Sequence, residues 1–305
     1  MEAKTLGLIT WGWKVAAYLF LAGVGAGAYV FGVATDITNP DWTVVSKTGV
    51  MLGAPLVFIG TLFLIWDLER PKRLLKVIKN IKTSWISRGT IILSVFMVLG
   101  AINIAFWIWP FSWLEDARSI RLTLELTNMV FAILTMVYTG VLLGASRPIP
   151  FWSTPILPLL FLVSALSTGI MAIILSIFAY TPANPPSEQI LWLSKNDIIL
   201  IFLEAAIIIF YLQASHATLA SRASVTIITK GRLALHFWLG VIALGLLLPL
   251  ALESILLVYP EVDQASLIAA SAFGLIGGLM LRVVVIFGGV KAPLNITHIF
   301  VFQTS

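Results

Sequence analysis

Carboxylates inside long apolar stretches are the first residues of this sequence that point to chemistry. Glu125, Glu204 and Glu253 each lie in or beside a run of apolar residues long enough to cross a membrane. Burial disfavours the ionised form of a carboxylate, so such a group is expected to be protonated or paired. Ionisable residues at membrane depth are costly and mark functional sites. We predict that these three residues belong to a proton pathway, with a structural pair or an interfacial position as the alternative.

A second set of polar side chains comes from different predicted helices but lies at one level, near the membrane face that holds both termini. Counted at 1.5 Å per residue, most of its members lie within roughly 7–12 Å of that face. The set consists of Tyr18, Asp67, Tyr138, Thr139 and Arg282. For the two tyrosines, aromatic packing with a satisfied hydroxyl is the alternative.

The helices that must position these residues are predicted from hydropathy. Of the 305 residues, 59% are apolar and 11% charged, whereas a soluble domain carries about 25% charge. A membrane-spanning helix needs about 20 mostly apolar residues. This length criterion predicts an all-α fold. The chain is then a polytopic membrane protein that forms one membrane domain over residues 1–305. Its eight transmembrane helices are predicted near 13–35, 45–66, 90–110, 125–146, 155–180, 197–215, 233–257 and 266–288. Glu125 and Asn128 then open the fourth span, and Asp197 caps the sixth.

Cysteine is absent, which excludes a thiolate zinc site and an iron–sulfur cluster held by this chain. We predict no metal site. Two of the three histidines, His216 and His236, flank the loop after the sixth span, so a haem b cytochrome that uses both as ligands is one alternative function. A secondary transporter or ion channel with buried carboxylates is another, and it predicts repeat symmetry and broken helices.

Lysine and arginine are distributed unevenly between the two faces. Fourteen lie on the side of the termini and four on the opposite side, so the positive-inside rule makes both termini cytoplasmic. We therefore predict a multi-pass protein of the cytoplasmic membrane. Half of the fourteen are assigned to the loop after the second span: Arg70, Lys72, Arg73, Lys76, Lys79, Lys82 and Arg88. This loop is predicted to attract anionic membrane lipid, to dock an acidic partner subunit, or both. No soluble module accompanies the charges, which argues against nucleic-acid binding.

Several short motifs follow one another across nearly the whole chain. They are Trp11-Gly-Trp-Lys-Val-Ala-Ala-Tyr18, Asp67-Leu-Glu-Arg-Pro71, Ser84-Trp-Ile-Ser-Arg-Gly89, Tyr138-Thr-Gly-Val-Leu-Leu-Gly144 and Leu281-Arg-Val-Val-Val-Ile-Phe-Gly288. Each motif alone is weak, but their order and spacing over eight spans resemble the NrfD/PsrC family. The members of that family are the membrane subunits of polysulfide-reductase-type molybdopterin oxidoreductases and related complexes.

The resemblance implies two four-helix bundles, about 13–146 and about 155–288, and a quinone pocket near one membrane face. The quinone is of the menaquinone or ubiquinone type, and no haem or metal is implied in this subunit. By position, Tyr18 matches a family histidine that hydrogen-bonds the quinone, Tyr138 matches a pocket tyrosine, and Asp67 matches an acidic position. We add Thr139 and Arg282 to this cofactor-binding set.

Tyrosine in place of histidine changes the predicted proton chemistry. A phenol, with an ordinary pKa of about 10, donates a hydrogen bond at neutral pH, whereas an imidazole can accept a proton. Asp67 is therefore the predicted catalytic group that takes or gives the proton of the quinone.

The implied function is that of a membrane anchor in a multi-subunit respiratory oxidoreductase. It exchanges electrons between quinone or quinol and an iron–sulfur, ferredoxin-like subunit, beside a larger catalytic subunit. Arg70, Lys72, Arg73, Arg88 and Arg147 are the predicted docking residues. Many complexes of the family work outside the cytoplasm, whereas the charge distribution here places the pocket on the cytoplasmic side. We favour the cytoplasmic side; the alternative is a docking surface that overrides the positive-inside rule.

Overall fold

The computed structural model describes residues 11–67, 84–108, 117–145, 149–181, 185–216, 218–258 and 264–292. Within these ranges the chain is helical and contains no strand, which confirms the predicted all-α fold. The helices are α1 (Trp13–Thr38), α2 (Thr43–Asp67), α3 (Trp85–Ala105), α4 (Arg118–Gly144), α5 (Ile156–Tyr180), α6 (Ser187–Ala214), α7 (Leu219–Thr229), a π-helix (His236–Leu247), α8 (Leu248–Val258) and α9 (Gln264–Gly288).

Eight segments of the described residues are long and apolar enough to cross a membrane. They are α1 to α6, the π-helix together with α8, and α9, with mean hydropathies between 1.7 and 2.3. The prediction of a polytopic protein with eight transmembrane helices is confirmed. The first, second, fifth and eighth spans match their helices closely, because there the apolar run and the helix coincide.

Two spans were placed wrongly at their N-terminal ends. α4 begins at Arg118, so Glu125 lies two turns inside the helix and does not open it. α6 begins at Ser187, so Asp197 lies ten residues inside the helix instead of capping it. In both cases the helix begins with a polar segment that precedes the apolar run. A prediction from hydropathy leaves this polar segment out of the span. Both carboxylates therefore lie further from the start of their helices than predicted.

The third and seventh spans also differ from the prediction. α3 begins at Trp85, so Arg88 belongs to its first turn and not to the preceding loop. The seventh span is a π-helix over His236–Leu247 that continues as α8. Pro249, in the first turn of α8, has no N–H to donate to the preceding turn. π-Helical segments are rare and are frequently found at functional sites.

The helices contact one another in a regular order. In the first half, α1 packs on α2 and α4, and α3 packs on α2 and α4. In the second half, α5 packs on α6 and α9, while α8 contacts α6 and α9. α1 and α5, the two most buried spans, meet in the centre. These contacts agree with two four-helix bundles, but that division, like the single-domain assignment, stays a prediction.

Two glycines set the distance between the central helices. A Cβ at Gly27 of α1 would overlap the carbonyl of Ala165 in α5, and a Cβ at Gly169 of α5 would overlap the backbone at Gly27 and Ala28. Such glycines allow helix backbones to touch in a membrane protein. The crossing of α1 and α5 therefore depends on both residues.

Candidate functional site

Tyr18 of α1 and Tyr138 of α4 come together near one membrane face, and we call these two residues the phenol pair. The face is the one at which α1 begins and α4 ends, and we call it the terminus face. Tyr18 is completely buried, and its hydroxyl has no hydrogen-bond partner among the described residues. Tyr138 is 5% exposed and is near enough to Tyr18 for the two phenols to interact electrostatically. Within the described residues, the alternative of aromatic packing with a satisfied hydroxyl is not met at Tyr18. A buried donor without an acceptor marks a position where a ligand or a water can accept a hydrogen bond.

Gly89 of α3 gives the Tyr138 side chain its space. A Cβ at this position would overlap the hydroxyl end of the Tyr138 ring. Sequence reasoning included Gly89 in a motif but did not assign it a role. A signal was present, because a glycine inside a helix costs roughly 0.5–1 kcal/mol relative to alanine and calls for a packing reason.

A cavity of about 300 Å³, open at the protein surface, lies about one helical turn from Tyr138 and from Gly89. Val141 is one turn beyond Tyr138 in α4, and Trp85 is one turn before Gly89 in α3, so the cavity lies between the phenol and the terminus face. The hydroxyl of Thr154 is buried there without a partner in the described part of the chain. Among the described residues, the lining consists of Trp85, Val141, Gly144, Ala145, Ser153 and Thr154.

Asp67 is the last residue of α2 and is half-buried at the same face. Its neighbour Trp66 packs edge-to-face on Trp13 at 6.0 Å and lies under the Lys14 ammonium at 4.6 Å. These contacts fix the end of α2 against the start of α1, which carries Tyr18. Asp67 is thereby held at the membrane surface, on the side of the phenol pair.

The remaining predicted residues of the terminus face have different positions. Thr139 is buried, and its hydroxyl donates to the Met136 carbonyl at 2.6 Å, so its hydrogen bond stays within α4. The guanidinium of Arg88 lies over the Trp85 ring at 4.7 Å. Four predicted docking residues, Arg70, Lys72, Arg73 and Arg147, lie outside the described residues.

Arg282 belongs to a different group of side chains. It is 1% exposed, donates to the Ser164 hydroxyl and the Gly278 carbonyl, and lies over the Phe161 ring at 5.2 Å. Among the described residues, no hydrogen bond or ion pair joins Arg282 to the phenol pair. Its charge interacts instead with Glu204 of α6.

A row of polar side chains continues from Arg282 towards the opposite face. Ser164 lies within hydrogen-bonding reach of Glu204, and Ser167, one turn along α5, lies near Asp197. Asp197 faces Glu253 of α8. No oxygen of these last two carboxyl groups accepts a hydrogen bond from another described group. Two facing carboxylates cannot both be ionised without strong repulsion, so a shared proton suits the pair.

The middle of this row borders a small, partly open space of about 10 Å³ beside Glu204. That is close to the volume that one water molecule needs. Its walls are Ser167 and Thr168 of α5, the π-helix, and the glycines of α9. Sequence reasoning had assigned Arg282 and the carboxylates to opposite levels of the membrane. The structure places them in one row across the second half of the protein.

The two histidines of the haem alternative are both exposed. His216 follows α6 and its Nδ1 lies 2.9 Å from the Leu212 carbonyl, while His236 is the first residue of the π-helix. Among the described residues, no group of three or more His, Cys, Asp or Glu side chains is placed to hold a metal ion.

The protein is similar to known proteins along nearly its whole length. A sequence model of the family described as "Polysulphide reductase, NrfD" matches residues 2–293. Protein NrfD of Escherichia coli K12 is 30% identical over 92% of this protein and 95% of that one. The C subunit of polysulfide reductase from Wolinella succinogenes is 30% identical over 92% and 94%. The NrfD homolog of Haemophilus influenzae is 26% identical over 92% and 94%.

Proposed function

Because this chain belongs to the NrfD family and is a multi-pass membrane protein, we propose that it is the quinone-reactive membrane subunit of a respiratory oxidoreductase. In this role it exchanges electrons between a membrane quinone and an iron–sulfur partner subunit. The similarity to a subunit of polysulfide reductase supports a multi-subunit complex. The observation that carries the proposal is the unpartnered, buried hydroxyl of Tyr18 beside Tyr138 in the described part of the protein.

The residues present fit a quinone. Its headgroup has two carbonyl oxygens that accept hydrogen bonds, and Tyr18 offers a buried donor that no other described residue uses. The adjoining cavity of about 300 Å³ is at the lower end of the range of small-molecule sites, roughly 300–1,000 Å³. Trp85 and Val141 give it apolar walls. A quinone ring, which has a carbonyl oxygen at each end and an otherwise apolar body, matches this combination of a hydrogen-bond donor and apolar walls.

A bound quinone supplies two-electron chemistry coupled to two protons. Tyr18 and Tyr138 orient the headgroup by donating hydrogen bonds, and Gly89 keeps the ring of Tyr138 in place. Asp67, half-buried at the terminus face, holds and releases a proton between this pocket and water. Thr139 contributes shape only, since its hydroxyl is bonded within α4.

The iron–sulfur partner, together with a larger catalytic subunit, is proposed to dock on the terminus face. Support comes from the position of the cavity and of Arg88, both at the start of α3 on that face. Cysteine is absent from the sequence, so a thiolate-bound cluster has to belong to a partner. The excess of lysine and arginine supports a cytoplasmic location for this face and for both termini.

Replacing Tyr18 or Tyr138 by phenylalanine tests the pocket. Each change removes one hydroxyl and keeps the ring, so the expected loss is one hydrogen bond, which corresponds to a roughly tenfold slower quinone-linked reaction. The measurement is stopped-flow reduction of the partner's clusters by quinol in the intact complex. Reduction of the same clusters by an artificial dye is expected to be unchanged.

Tyr180→Phe is the matched control. Tyr180 is 54% exposed at the opposite face, where its hydroxyl contacts Thr48, so the same chemical change is made far from the pocket. Wild-type rates for both Tyr18→Phe and Tyr138→Phe, in complexes that assemble normally, would show that the phenol pair does not bind the quinone.

The row from Arg282 to Glu253 is proposed to carry protons across the second half of the protein. Glu204→Gln and Asp197→Asn are each expected to lower the rate of quinone-coupled proton movement by about tenfold or more. A positioned proton donor usually contributes at least that much to a rate. Asp197→Asn leaves the charge interaction between Glu204 and Arg282 unchanged, so it separates loss of conduction from simple destabilisation. Proton movement is measured with a pH-sensitive dye in proteoliposomes.

The control for these variants is Glu188→Gln, at an exposed glutamate in the first turn of α6. If both buried variants moved protons at the wild-type rate while turning over quinol, the carboxylates would have a structural role only. Dye-driven electron transfer in the same samples reports whether the complex is intact.

A further inference from the structure

The ends of α1 and α4 that are far from the terminus face carry a buried charge cluster outside the two groups described above. Arg121 of α4 donates to both carboxylate oxygens of Asp36 in α1, at 3.0 and 2.9 Å. The Arg121 guanidinium also lies over the Trp107 ring at 4.1 Å, and the Trp107 indole donates to Glu125 at 3.2 Å. The charge of Arg121 is therefore matched by Asp36 in an ion pair in which the single nitrogen Nη2 contacts both carboxylate oxygens.

Among the described residues, Asp36 lies close to Glu125, and Glu125 has only a share in the positive charge of Arg121. The nearer oxygen of Glu125 is 3.9 Å from the Arg121 Nε, and these two atoms make no hydrogen bond. Arg118, the other cation nearby, is exposed and bonds to the backbone carbonyl of Asp36. α5 has no Asp, Glu, Lys or Arg, and the one charged residue of α3, Arg88, is at its other end. An ionised Glu125 would thus add a buried negative charge, which is strongly unfavourable.

Three fully buried side chains in this region have polar atoms without partners in the described structure. They are Oε2 of Glu125, Oδ1 of Asn103, and both amide atoms of Asn128. The Nδ2 of Asn103 donates to the Tyr29 hydroxyl, and Asn128 and Glu125 lie near the same hydroxyl. Glu125 and Asn128 are three residues apart and so share one face of α4. The unpartnered atoms therefore belong to one cluster of side chains from α1, α3 and α4.

Leaving so many buried polar atoms unpaired is costly, at roughly 1–3 kcal/mol for each. Folded proteins meet this cost with buried water, which typically makes about three hydrogen bonds to such atoms. The atoms are carboxyl and amide groups at 0% exposure, and water can supply the hydrogen bonds that an apolar neighbour cannot.

We propose that Glu125, Asn128, Asn103 and Tyr29 form a hydrated proton-binding site in the first half of the protein. Its ligands are a small cluster of water molecules and one exchangeable proton, which moves between the Glu125 carboxyl and the bound water. Glu125 lies two turns, roughly 10 Å, from the start of α4, so exchange takes place with the face opposite the phenol pair. The site is separate from Asp197 and Glu253, which lie between α6 and α8, and it does not depend on quinone binding.

Infrared spectroscopy of the complete complex in lipid nanodiscs tests this site. The wild-type-minus-Glu125→Gln difference spectrum at neutral pH is expected to contain the carbonyl stretch of a protonated carboxylic acid. In D₂O that band is expected to shift within minutes, because bound water connects the proton to bulk solvent. Glu188→Gln, at an exposed glutamate on the same face, is expected to remove no acid band.

Asn128→Leu separates a hydrated site from a dry structural one. It removes two of the unpartnered atoms, so the acid band of Glu125 is expected to remain while its exchange in D₂O becomes several-fold slower. A high-resolution structure of the complex is expected to show water within hydrogen-bonding distance of Glu125 Oε2 and Asn103 Oδ1.

Two results would overturn the proposal. If the Glu125→Gln difference spectrum contained no acid band, Glu125 would be ionised, for example because a bound cation stabilises its carboxylate. A band that fails to shift after prolonged incubation in D₂O would mean that the site is dry. Both readouts are independent of turnover, so a failed quinone assignment leaves them valid.

Discussion

Gly89→Ala is expected to slow quinone-linked electron transfer by about 100-fold, the size of effect that a displacement of about 1 Å at a reacting site can have. The new Cβ would overlap the hydroxyl end of the Tyr138 ring. A side-chain end is able to move where a backbone is not, so the tyrosine is expected to rotate away. The displaced ring would both lose its hydrogen bond and enter the neighbouring cavity, so the effect exceeds that of Tyr138→Phe.

The same substitution is not expected to destabilise the protein. Alanine is the better helix former by roughly 0.5–1 kcal/mol, and the atoms displaced belong to a side chain. The expected result is therefore a complex that assembles normally, is reduced by dye at the wild-type rate, and reacts slowly with quinol. Stopped-flow kinetics and size-exclusion chromatography measure the two properties separately.

Gly12→Ala is the matched control, because a Cβ at Gly12 would meet no described atom within 4 Å. A double-mutant cycle adds a sharper condition. If Gly89→Ala acts through Tyr138, adding Tyr138→Phe to it is expected to cost much less than tenfold, since the contact is already lost. A wild-type quinol rate in Gly89→Ala would show that the position of Tyr138 is irrelevant to the reaction.

The number of membrane spans was predictable because hydropathy measures the property that the membrane selects. The bounds were less predictable where a helix extends beyond its apolar run. Glu188 and Lys195 lie in the first turns of α6. Because they are charged, a prediction from hydropathy places them outside the span although they belong to the helix. The π-helix is defined by the pairing of its backbone hydrogen bonds, which hydropathy does not report. Pro249, which lacks an N–H, is only an indirect sign that this pairing changes nearby.

For the site, the sequence indicated the kinds of residues but not their grouping. Tyr18 and Tyr138 were placed at one level from helix lengths, and the structure brings them together. Arg282 was placed at that level too, but depth does not specify which helix face a residue occupies. Its contacts with Ser164 and Gly278 direct it towards Glu204 instead. The facing pair of Asp197 and Glu253 depends on the packing of α6 against α8, which no local pattern encodes.

Gly27→Ala and Gly169→Ala are each expected to prevent formation of the folded, assembled protein. The new Cβ at Gly27 would overlap the carbonyl of Ala165, and the one at Gly169 would overlap the backbone at Gly27 and Ala28. Overpacking a core usually costs about 1–3 kcal/mol. Here the overlapped atoms belong to the backbone and have no room to move aside. The two most buried helices would therefore have to separate, and the cost is expected to exceed that range.

Gly23→Ala is the matched control for these variants, because it lies one turn away on the same helix. A Cβ there would be 3.2 Å from the Ala165 Cβ and 3.4 Å from the flexible end of Arg282. A shift of a few tenths of an ångström relieves both contacts, so only mild destabilisation is expected. Thermal unfolding in detergent and the yield of assembled complex are the measurements. Wild-type stability for Gly27→Ala would mean that α1 and α5 do not cross at this point.

The consequences of that crossing reach both proposed sites. α1 carries Tyr18, whereas α5 carries Ser164 and Ser167, which connect Arg282, Glu204 and Asp197. Separating the two helices would therefore disturb the phenol pair and the polar row together. Any small fraction of Gly169→Ala protein that still assembles is expected to lose quinol reactivity and proton movement in parallel, whereas Gly89→Ala primarily removes quinol reactivity. Comparing the two variants distinguishes a defect of the scaffold from a defect of the pocket.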